Sequence, residues 1–268
     1  MAEPNRLSAK DVGKMWRAAL QSAICWLLLA ACSEPHPLET LRQGEQGRVV
    51  RIIDGDALVL DTGLSVRLVG IEAPAPERRS RAGQPFAEKS ARMLEDMAMG
   101  RTVRLIYPGL TRDRYDRALA YVETVDNLGP KLWLNFEMIS RGGARVRIYP
   151  DTAPLGDLLY EAERAAREAG IGLWSLDAYD ILEADTLVAE ARGFQIIYGT
   201  IDRVEGAGQA SDARCQLSLS GASLVLMAMP GASDLCDAPP RKAEIRGYVY
   251  DGKMEITHGL NVHALNPS

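Results

Sequence analysis

Short apolar runs separated by glycine, aspartate and threonine dominate the chain from Gly47 to about residue 72. The runs read GRVVRII, ALVLDT and LSVRLVGI, with DGD and TGL between them. Apolar runs of this length, bounded by turn-forming residues, are typical of strands in a meander or a small barrel. Strand-like runs return at TVRLIY (102–107) and ALAYVET (118–124). The pattern therefore predicts a strand-rich first half.

Three other segments, residues 85–98, 131–141 and 154–169, carry apolar residues at helical spacing. Gly142 and Gly170 stand just after the second and third of them, where helices commonly end. Strands with helices appended, rather than strictly alternating with them, predict an α+β fold.

The helical spacing disappears after about residue 182. Five strand-like runs follow, FQIIYGTIDRV, CQLSLS, ASLVLMAM, AEIRGYVY and MEITHGLNVHAL. Several short strands with Gly, Ser, Asp and Pro between them are typical of a small closed barrel, of which the oligonucleotide/oligosaccharide-binding barrel is one type. We therefore predict two folded domains, over residues 47–182 and 183–268.

Composition narrows the class of protein but not its chemistry. Of the 268 residues, 47% are hydrophobic and 25% are charged, which are ordinary globular values and exclude a disordered, collagen-like or coiled-coil protein. The net charge of -5 gives no broad attraction for nucleic acid. Any contact with nucleic acid must therefore come from a local basic site.

The first part of the chain differs from the rest. Residues 18–31 carry no charge and follow Lys10, Lys14 and Arg17. A membrane-spanning helix needs about 20 apolar residues, so this shorter run favours the core of a signal peptide over a transmembrane helix. A buried helix of the folded domain is the alternative. We predict a signal peptide over residues 1–31.

The end of this segment, LAAC, resembles a bacterial lipoprotein signal. The resemblance implies that Cys32 is lipidated and becomes the mature N-terminus. The lipid would then hold the protein in a membrane of the bacterial cell envelope, facing the periplasm or the outside. Residues 32–46 are polar and proline-bearing, which predicts a tether. Met15 is an alternative start of the chain.

Two cysteines, Cys215 and Cys236, remain as thiols once the signal peptide is removed and Cys32 carries lipid. In an oxidising envelope they favour one disulfide, and two unpaired core thiols are the alternative. We do not expect a zinc site formed with His258 and His263, because the cysteines lack the close spacing of zinc ligands.

Two features of the first strand-rich region have the chemistry of a site. Asp54 and Asp56 stand two apart at the end of an apolar strand, so both can face one cation, although Asp and Gly also dominate simple turns. Arg67 is the only charge in VRLVGI and needs an anionic partner. That partner is either a structural carboxylate or a substrate phosphate.

A charged segment, TRDRYDR (111–117), precedes the strand ALAYV, and its last arginine, Arg117, adjoins that strand. Such a run is usually a solvated loop. Two arginines beside a carboxylate-bound cation, however, form a suitable set for phosphodiester chemistry, because they stabilise the charge that builds on phosphorus.

Four motifs, IIDGDALVL, VRLVGIEAP, RDRYDRALAYV and EAERAAREAGIGLWS, occur in an order that resembles the staphylococcal nuclease (thermonuclease) family over about residues 47–175. The resemblance implies a five-stranded oligonucleotide/oligosaccharide-binding barrel with three packed helices. It also implies a calcium-dependent enzyme that cleaves DNA and RNA. Residues 190–265 are similar to the barrel extension of some bacterial relatives.

Position by position, the resemblance makes Asp56 the first calcium carboxylate and Asp54 its nearby acid. Arg67 and Arg117 correspond to the two phosphate-binding arginines. The second calcium ligand, usually aspartate, is Glu72 here.

The resemblance also places the Ala73 carbonyl at the calcium ion. Tyr115 and Asp113 fall where the family has a tyrosine and an acid in the substrate pocket. Asp116 replaces a family glycine, and its negative charge beside Arg117 is expected to compete with phosphate for that arginine.

The family's water-activating glutamate is replaced by Ala75, which has no acid–base function. Glu77, two residues later, is our predicted substitute, provided that the loop is shifted. Two hypotheses follow. The first is a membrane-tethered, calcium-dependent nuclease acting on single-stranded or unpaired nucleic acid. The second is a degenerate relative that binds or scaffolds without hydrolysis. The sequence makes no prediction of oligomeric state.

Overall fold

The computed structural model describes residues 36–78, 82–187, 191–205 and 214–265. Residues 1–31 and Cys32, on which the predictions of a signal peptide and lipidation rest, lie outside this part of the chain. Met1–Thr40 and Leu41–Ser268 are two compact units. No helix within the described ranges has the length and apolar character needed to cross a membrane.

A closed five-stranded barrel forms the first half of the larger unit, as predicted. The strands of this half are β1 (Arg42–Asp54), β2 (Ala57–Leu60), β3 (Ser65–Leu68), β4 (Ile71–Glu72), β5 (Thr102–Tyr107), β6 (Ala118–Thr124) and β7 (Arg145–Val146). The barrel runs β1-β2-β3-β6-β5 and closes between β5 and β1, while β4 pairs separately with β7. Only the β3–β6 pairing of the barrel is parallel. The α+β class is confirmed.

Strand β1 begins at Arg42, inside the range 32–46 that we predicted as a tether. Arg42 lies opposite Tyr107 and Gln43 opposite Ile106 of β5. These polar residues join the strand because their backbone groups complete the ladder with β5, a long-range pairing that polar composition does not reveal.

The predicted strand LSVRLVGI is interrupted at Gly70. Its φ of 76° is left-handed, a conformation that glycine adopts without steric cost. A Cβ there would lie 2.8 Å from Cδ1 of Leu159 and 3.3 Å from Cε1 of Tyr121. The break separates β3 from β4 and carries Glu72 out of the barrel to pair with β7.

The three predicted helices are present, and a short fourth helix occurs late in the chain. They are α1 (Ala87–Ala98), α2 (Leu134–Ser140), α3 (Gly156–Glu168) and α4 (Asp234–Asp237). Helix α1 packs on β1, and α2 packs on α1, α3 and β6. The four residues of α4 are too few to show a helical period, so the sequence pattern did not indicate it.

The second half is also a closed five-stranded barrel, as predicted. Its strands are β8 (Leu182–Glu183), β9 (Gly193–Glu205), β10 (Cys215–Leu219), β11 (Val225–Ala228), β12 (Lys242–Tyr250), β13 (Lys253–Ile256) and β14 (Val262–Ala264). The ring is β9-β10-β11-β13-β12, closed between β12 and β9, with β8 and β14 at its edges. A disulfide joins Cys215 on β10 to Cys236 on α4, with the two Cα atoms 5.8 Å apart.

The run MEITHGLNVHAL, which we expected to be one strand, forms β13 and β14. A 3-10 turn over Gly259–Asn261 separates them. His258 caps this turn, because its Nδ1 accepts a hydrogen bond of 3.1 Å from the backbone N–H of Leu260.

Strand β12 packs into the core of the second barrel on one side and contacts the first half of the protein on the other. Ala243, Ile245 and Val249 belong to the core of the second barrel. The alternate residues Glu244 and Arg246 point to the opposite side of the strand, where they contact helix α3 of the first half. This alternation places charged side chains between the two barrels.

Arg246 is the centre of that contact. It is 1% exposed, and its Nη1 lies 2.6 Å from Oε2 of Glu163 on α3. Its Nη2 contacts Glu244, whose other oxygen lies 2.7 Å from Nη1 of Arg167. Buried charged groups of both barrels thus neutralise each other, which fixes α3 against β12.

Candidate active site

A cavity of about 890 Å³ opens between the first barrel, the charged loop 110–117 and the second barrel. Within the part of the chain that the structure describes, six arginines and four carboxylates line it. The arginines are Arg67, Arg78, Arg112, Arg114, Arg117 and Arg147. The cavity is therefore a local basic site, the only kind of nucleic-acid contact that the acidic net charge permits.

Arg67 reaches the cavity because of the alternation of β3. Val66 and Leu68 are fully buried in the barrel, so Arg67 between them points outward. Its Nη1 lies 2.8 Å from Oδ1 of Asp56, and its Nη2 lies 2.8 Å from Oε2 of Glu72. Its side chain is 24% exposed, on the cavity side. Arg67 thus has structural carboxylate partners and access to a ligand.

Asp54 ends β1, and Asp56 lies in the hairpin turn that leads to β2. Asp54 pairs across the ladder with Ala57, and its Oδ1 accepts the N–H of Asp56 at 3.2 Å. Oδ2 of Asp56 accepts the N–H of Ala73 at 2.7 Å. The simple turn exists, and it also aims Asp56 at Arg67.

Asp56 is the unusual member of this cluster. It is 2% exposed, and its Oδ1, although ion-paired with Arg67, has no hydrogen bond of good geometry from any residue that the structure describes. Burial raises the pKa of Asp56 well above its usual value against the effect of Arg67, and the nearby charges of Asp54 and Glu72 raise it further. A bound cation would therefore favour the ionised form of this carboxyl.

Glu72 lies between two guanidinium groups. Its Oε2 is 2.8 Å from Nη2 of Arg67 and 2.8 Å from Nη1 of Arg147. Burial raises its pKa, but the charges of Arg67 and Arg147 outweigh burial and hold the pKa below its usual value. Glu72 is therefore ionised at neutral pH.

The donor set fits a hard divalent cation. Asp56 and Glu72 supply carboxylate oxygens on either side of Arg67, and Ala73 is tied to Asp56 through its N–H. Calcium takes about 6–8 oxygen ligands, so backbone, water and phosphate oxygens would complete its shell. In the described ranges, no three His, Cys, Asp or Glu side chains form a metal-binding group by themselves. The fit rests on the unsatisfied Oδ1 of Asp56 and on a donor set made of oxygen.

Asp113 organises the charged loop and positions Arg117. Its Oδ1 accepts the N–H groups of Tyr115 at 2.9 Å and Arg117 at 3.0 Å, and its Oδ2 accepts Nε of Arg117 at 2.7 Å. Burial raises the pKa of Asp113, but these hydrogen bonds from Arg117 and Tyr115 lower it below its usual value. Arg117 and Asp113 both line the cavity. Tyr115 is 66% exposed and does not line it.

Asp116 does not act on Arg117 as expected. Its φ of 63° is left-handed, which explains why the family pattern has glycine here, since aspartate is one of the few other residues that tolerate this conformation. Its exposed side chain lies 3.9 Å from Nε of Arg112. The acid that pairs with Arg117 is Asp113.

Ala75 and Glu77 lie in a loop that folds back on Gln84. The Ala75 N–H donates to Oε1 of Gln84 at 2.8 Å, and the Gln84 N–H donates to the Ala75 carbonyl at 2.9 Å. Glu77 is exposed and lines a different cavity, together with Gln84 and Lys89. The structure does not bring Glu77 together with Arg67 and Arg117, and its role as a base stays a prediction.

Sequence reasoning missed Arg147, Tyr149 and Tyr248, which line the main cavity. A signal for Arg147 was available, because it stands in ARVRIY between apolar residues just as Arg67 stands in VRLVGI. Tyr248 carried no comparable signal, since its place depends on how the two barrels pack.

Comparisons with known proteins cover the first half of the chain. The model of the family described as staphylococcal nuclease homologue matches residues 65–176. The thermonuclease of Staphylococcus intermedius is 28% identical over 135 residues, which is 49% of this chain and 77% of that protein. An uncharacterized endonuclease of Escherichia coli O157:H7 is 34% identical over 130 residues, 48% of this chain and 76% of the relative. An uncharacterized endonuclease of Haemophilus influenzae is 33% identical over 156 residues, 57% of this chain and 74% of the relative.

Proposed function

Because the chain belongs to the family of staphylococcal nuclease homologues, we propose that it is a calcium-dependent nuclease that hydrolyses phosphodiester bonds of single-stranded or unpaired DNA and RNA. One observation carries the proposal: Arg67, Arg117 and Glu72 line one cavity, and Asp56 lies directly behind Arg67. Two arginines beside an oxygen-ligand cation site stabilise the charge of a phosphoryl transition state.

The arginines have distinct roles in this mechanism. Arg67, held between Asp56 and Glu72, turns its exposed edge to a non-bridging phosphate oxygen. Arg117, oriented by Asp113, offers its guanidinium to the same phosphate from the loop side. Both donors are preorganised by carboxylates, so little reorganisation is needed when charge builds on phosphorus.

The carboxylates Asp56 and Glu72, with the carbonyl of Ala73, would hold the calcium ion. When bound, the ion adds positive charge at the phosphoryl oxygen. Glu77 is our proposed group for activating water, which requires its loop to move toward the cavity on binding substrate.

A second candidate function is nucleic-acid binding without hydrolysis. It is favoured by Ala75 at the position of the family's base and by Glu77 lining a different cavity. The arginines would then retain phosphate binding while water activation is lost.

Cleavage of single-stranded DNA and RNA by the full chain, with calcium and with a chelator, separates the two functions. For the nuclease we expect calcium-dependent cutting that falls about 100- to 1,000-fold in Arg67→Ala. Arg203→Ala, at an exposed arginine of β9, is the matched control and should cut normally. Oligonucleotide binding without cutting would support the second function. A protein that does not bind oligonucleotides and does not cut them would contradict both functions.

We also propose a location in the bacterial cell envelope, anchored by lipid on Cys32. The support is the order of basic, apolar and small residues in the first 31 positions. Cys32→Ser should release the protein from membranes and abolish labelling by radioactive palmitate. Unchanged membrane recovery of this variant would contradict the anchor.

A further inference from the structure

The second barrel forms one wall of the main cavity. Tyr248 on β12 and Glu255 on β13 line the same space as Arg67 and Arg117. Both residues lie far beyond the region 65–176 that matches the family model. The wall is therefore specific to a chain that carries this second barrel.

The position of Tyr248 follows from the alternation of β12. It lies on the same side of the strand as Glu244 and Arg246, whose ion pairs hold that side against α3. Across the ladder, Tyr248 lies opposite Phe194 on β9 and Glu255 on β13. Tyr248 is thus part of a rigid sheet surface, and it remains partly exposed.

Tyr248 is connected to the carboxylates of the site through Arg147. The guanidinium carbon of Arg147 lies 5.0 Å from the ring centroid of Tyr248 and 4.8 Å from that of Tyr149. Nη1 of the same arginine lies 2.8 Å from Oε2 of Glu72. An aromatic surface, a cation and the proposed metal-binding acid are therefore in sequence along one side of the cavity.

The cavity holds phosphate-binding groups and an aromatic ring together. Arg67 and Arg117 attract phosphate from the side of the first barrel and its charged loop. Tyr248 lines the same cavity from the second barrel. A nucleotide whose phosphate contacts the two arginines therefore has an aromatic ring in the same cavity to receive its base.

We propose that Tyr248 is a base-stacking residue, through which the second barrel binds a nucleobase of the single-stranded substrate. This inference rests on the proposed function, because it takes its substrate class from it. Aromatic side chains beside a basic groove bind bases by stacking with little regard to sequence. Tyr248 would therefore set affinity for the strand and not the rate of the chemical step.

Equilibrium binding in the presence of a chelator tests this without hydrolysis. The probe is a fluorescent single-stranded oligothymidylate, compared with an oligonucleotide of equal length made of abasic sites. Stacking is lost in Tyr248→Ala, so the dissociation constant for oligothymidylate should rise about 5- to 150-fold, while binding of the abasic strand should not change. Tyr248→Trp should bind oligothymidylate as tightly as the natural protein.

Leu182→Ala is the control, since Leu182 is an exposed apolar residue of the second barrel that does not line the cavity. It should leave both dissociation constants within about twofold, because it removes no stacking surface. Equal loss of oligothymidylate and abasic binding in Tyr248→Ala would overturn the stacking role and assign the residue to packing against Arg147.

Two different results would contradict the stacking role of Tyr248 and the proposed nuclease function. If the natural protein cleaves DNA with calcium and Tyr248→Ala binds oligothymidylate normally, the stacking role is wrong and the nuclease stands. If the natural protein binds no oligonucleotide, both are wrong. In steady-state cleavage, a stacking role predicts a raised KM with an unchanged kcat.

Discussion

Two arginines of this protein each lie between two carboxylates, yet they differ in what they can do. Arg67 pairs with Asp56 and Glu72, and Arg246 pairs with Glu163 and Glu244. In both cases burial opposes the charge, and the carboxylates nevertheless raise the pKa of the guanidinium. By composition alone the two clusters are equivalent.

Access to the cavity separates them. The side chain of Arg246 is 1% exposed and also donates to the Val146 carbonyl at 3.3 Å. The side chain of Arg67 is 24% exposed, on the cavity side. Among the described residues, each cluster keeps one buried atom without a hydrogen bond, a donor nitrogen (Nε) of Arg246 and an acceptor oxygen (Oδ1) of Asp56. A closed cluster of charges holds elements together, whereas a cluster with an arginine open to a cavity can also bind a ligand.

The strongest test of the comparison is the stability of two matched variants. Arg246→Ala leaves Glu163 and Glu244 buried without their cation, which should lower the free energy of unfolding by about 3–5 kcal/mol. Arg67→Ala should lower it by less than half as much, because Glu72 keeps Arg147 as a partner and the cluster borders the open cavity. Urea unfolding of both measures this. Equal losses of unfolding free energy in the two variants would contradict a difference in structural role between the two clusters.

A second test asks whether the open cluster has lost only its base. Ala75→Glu restores the glutamate that the family pattern has at this position, and in a binding-only protein it should raise calcium-dependent cleavage about 100-fold. Glu77→Gln should instead lower cleavage about 100-fold if Glu77 activates water. Initial rates on single-stranded DNA decide between these outcomes. A protein that responds to neither change has its base elsewhere.

A third test uses pH on the closed cluster. Burial raises the pKa of Glu244, but the charges of Arg246 and Arg167 outweigh it and hold the pKa below the usual value. As pH falls, the Glu244 carboxylate therefore takes up a proton in the unfolded chain before it does so in the native protein. Its contribution to the free energy of unfolding is complete above the unfolded pKa of about 4.3 and disappears as pH falls through the native pKa. Glu244→Gln should lose about 1–3 kcal/mol at pH 7 and reduce the dependence of stability on acid pH. An unchanged dependence would contradict the assignment.

The smallest effect concerns the loop that holds Arg117. Asp113→Asn keeps the size of the side chain but removes the charge that orients Arg117, so cleavage should fall about 10-fold with little change in unfolding. Asp113→Glu should recover part of the loss. For a positioning role, KM for a short oligonucleotide should rise as well, and a change in unfolding alone would disprove it.

Local patterns accounted for most of the fold. Short apolar runs between turn-forming residues located the strands of both barrels, and apolar residues at helical spacing located the three longer helices. Arg67 was found for a similar reason, as a lone charge in an apolar run. Arg246 also stands among apolar residues, in AEIRGYVY, with Glu244 two positions before it, and the sequence does not show which of the two arginines faces a cavity.

The remaining features depend on contacts between distant parts of the chain. Tyr248 reaches the cavity because β12 packs on α3, and Glu77 lies away from it because Gln84 holds the backbone of Ala75. Neither arrangement leaves a local pattern in the residues concerned.

The ion pair between Glu163 and Arg246 has a consequence for the independence of the nuclease-like half. In this chain the family region ends in a helix whose buried carboxylate receives its counter-ion from a strand about eighty residues later. The nuclease-like half is therefore not a self-sufficient piece. Separating the halves would take the counter-ion from Glu163 and leave Arg246 with Glu244 alone, so the two halves should be expressed and engineered together.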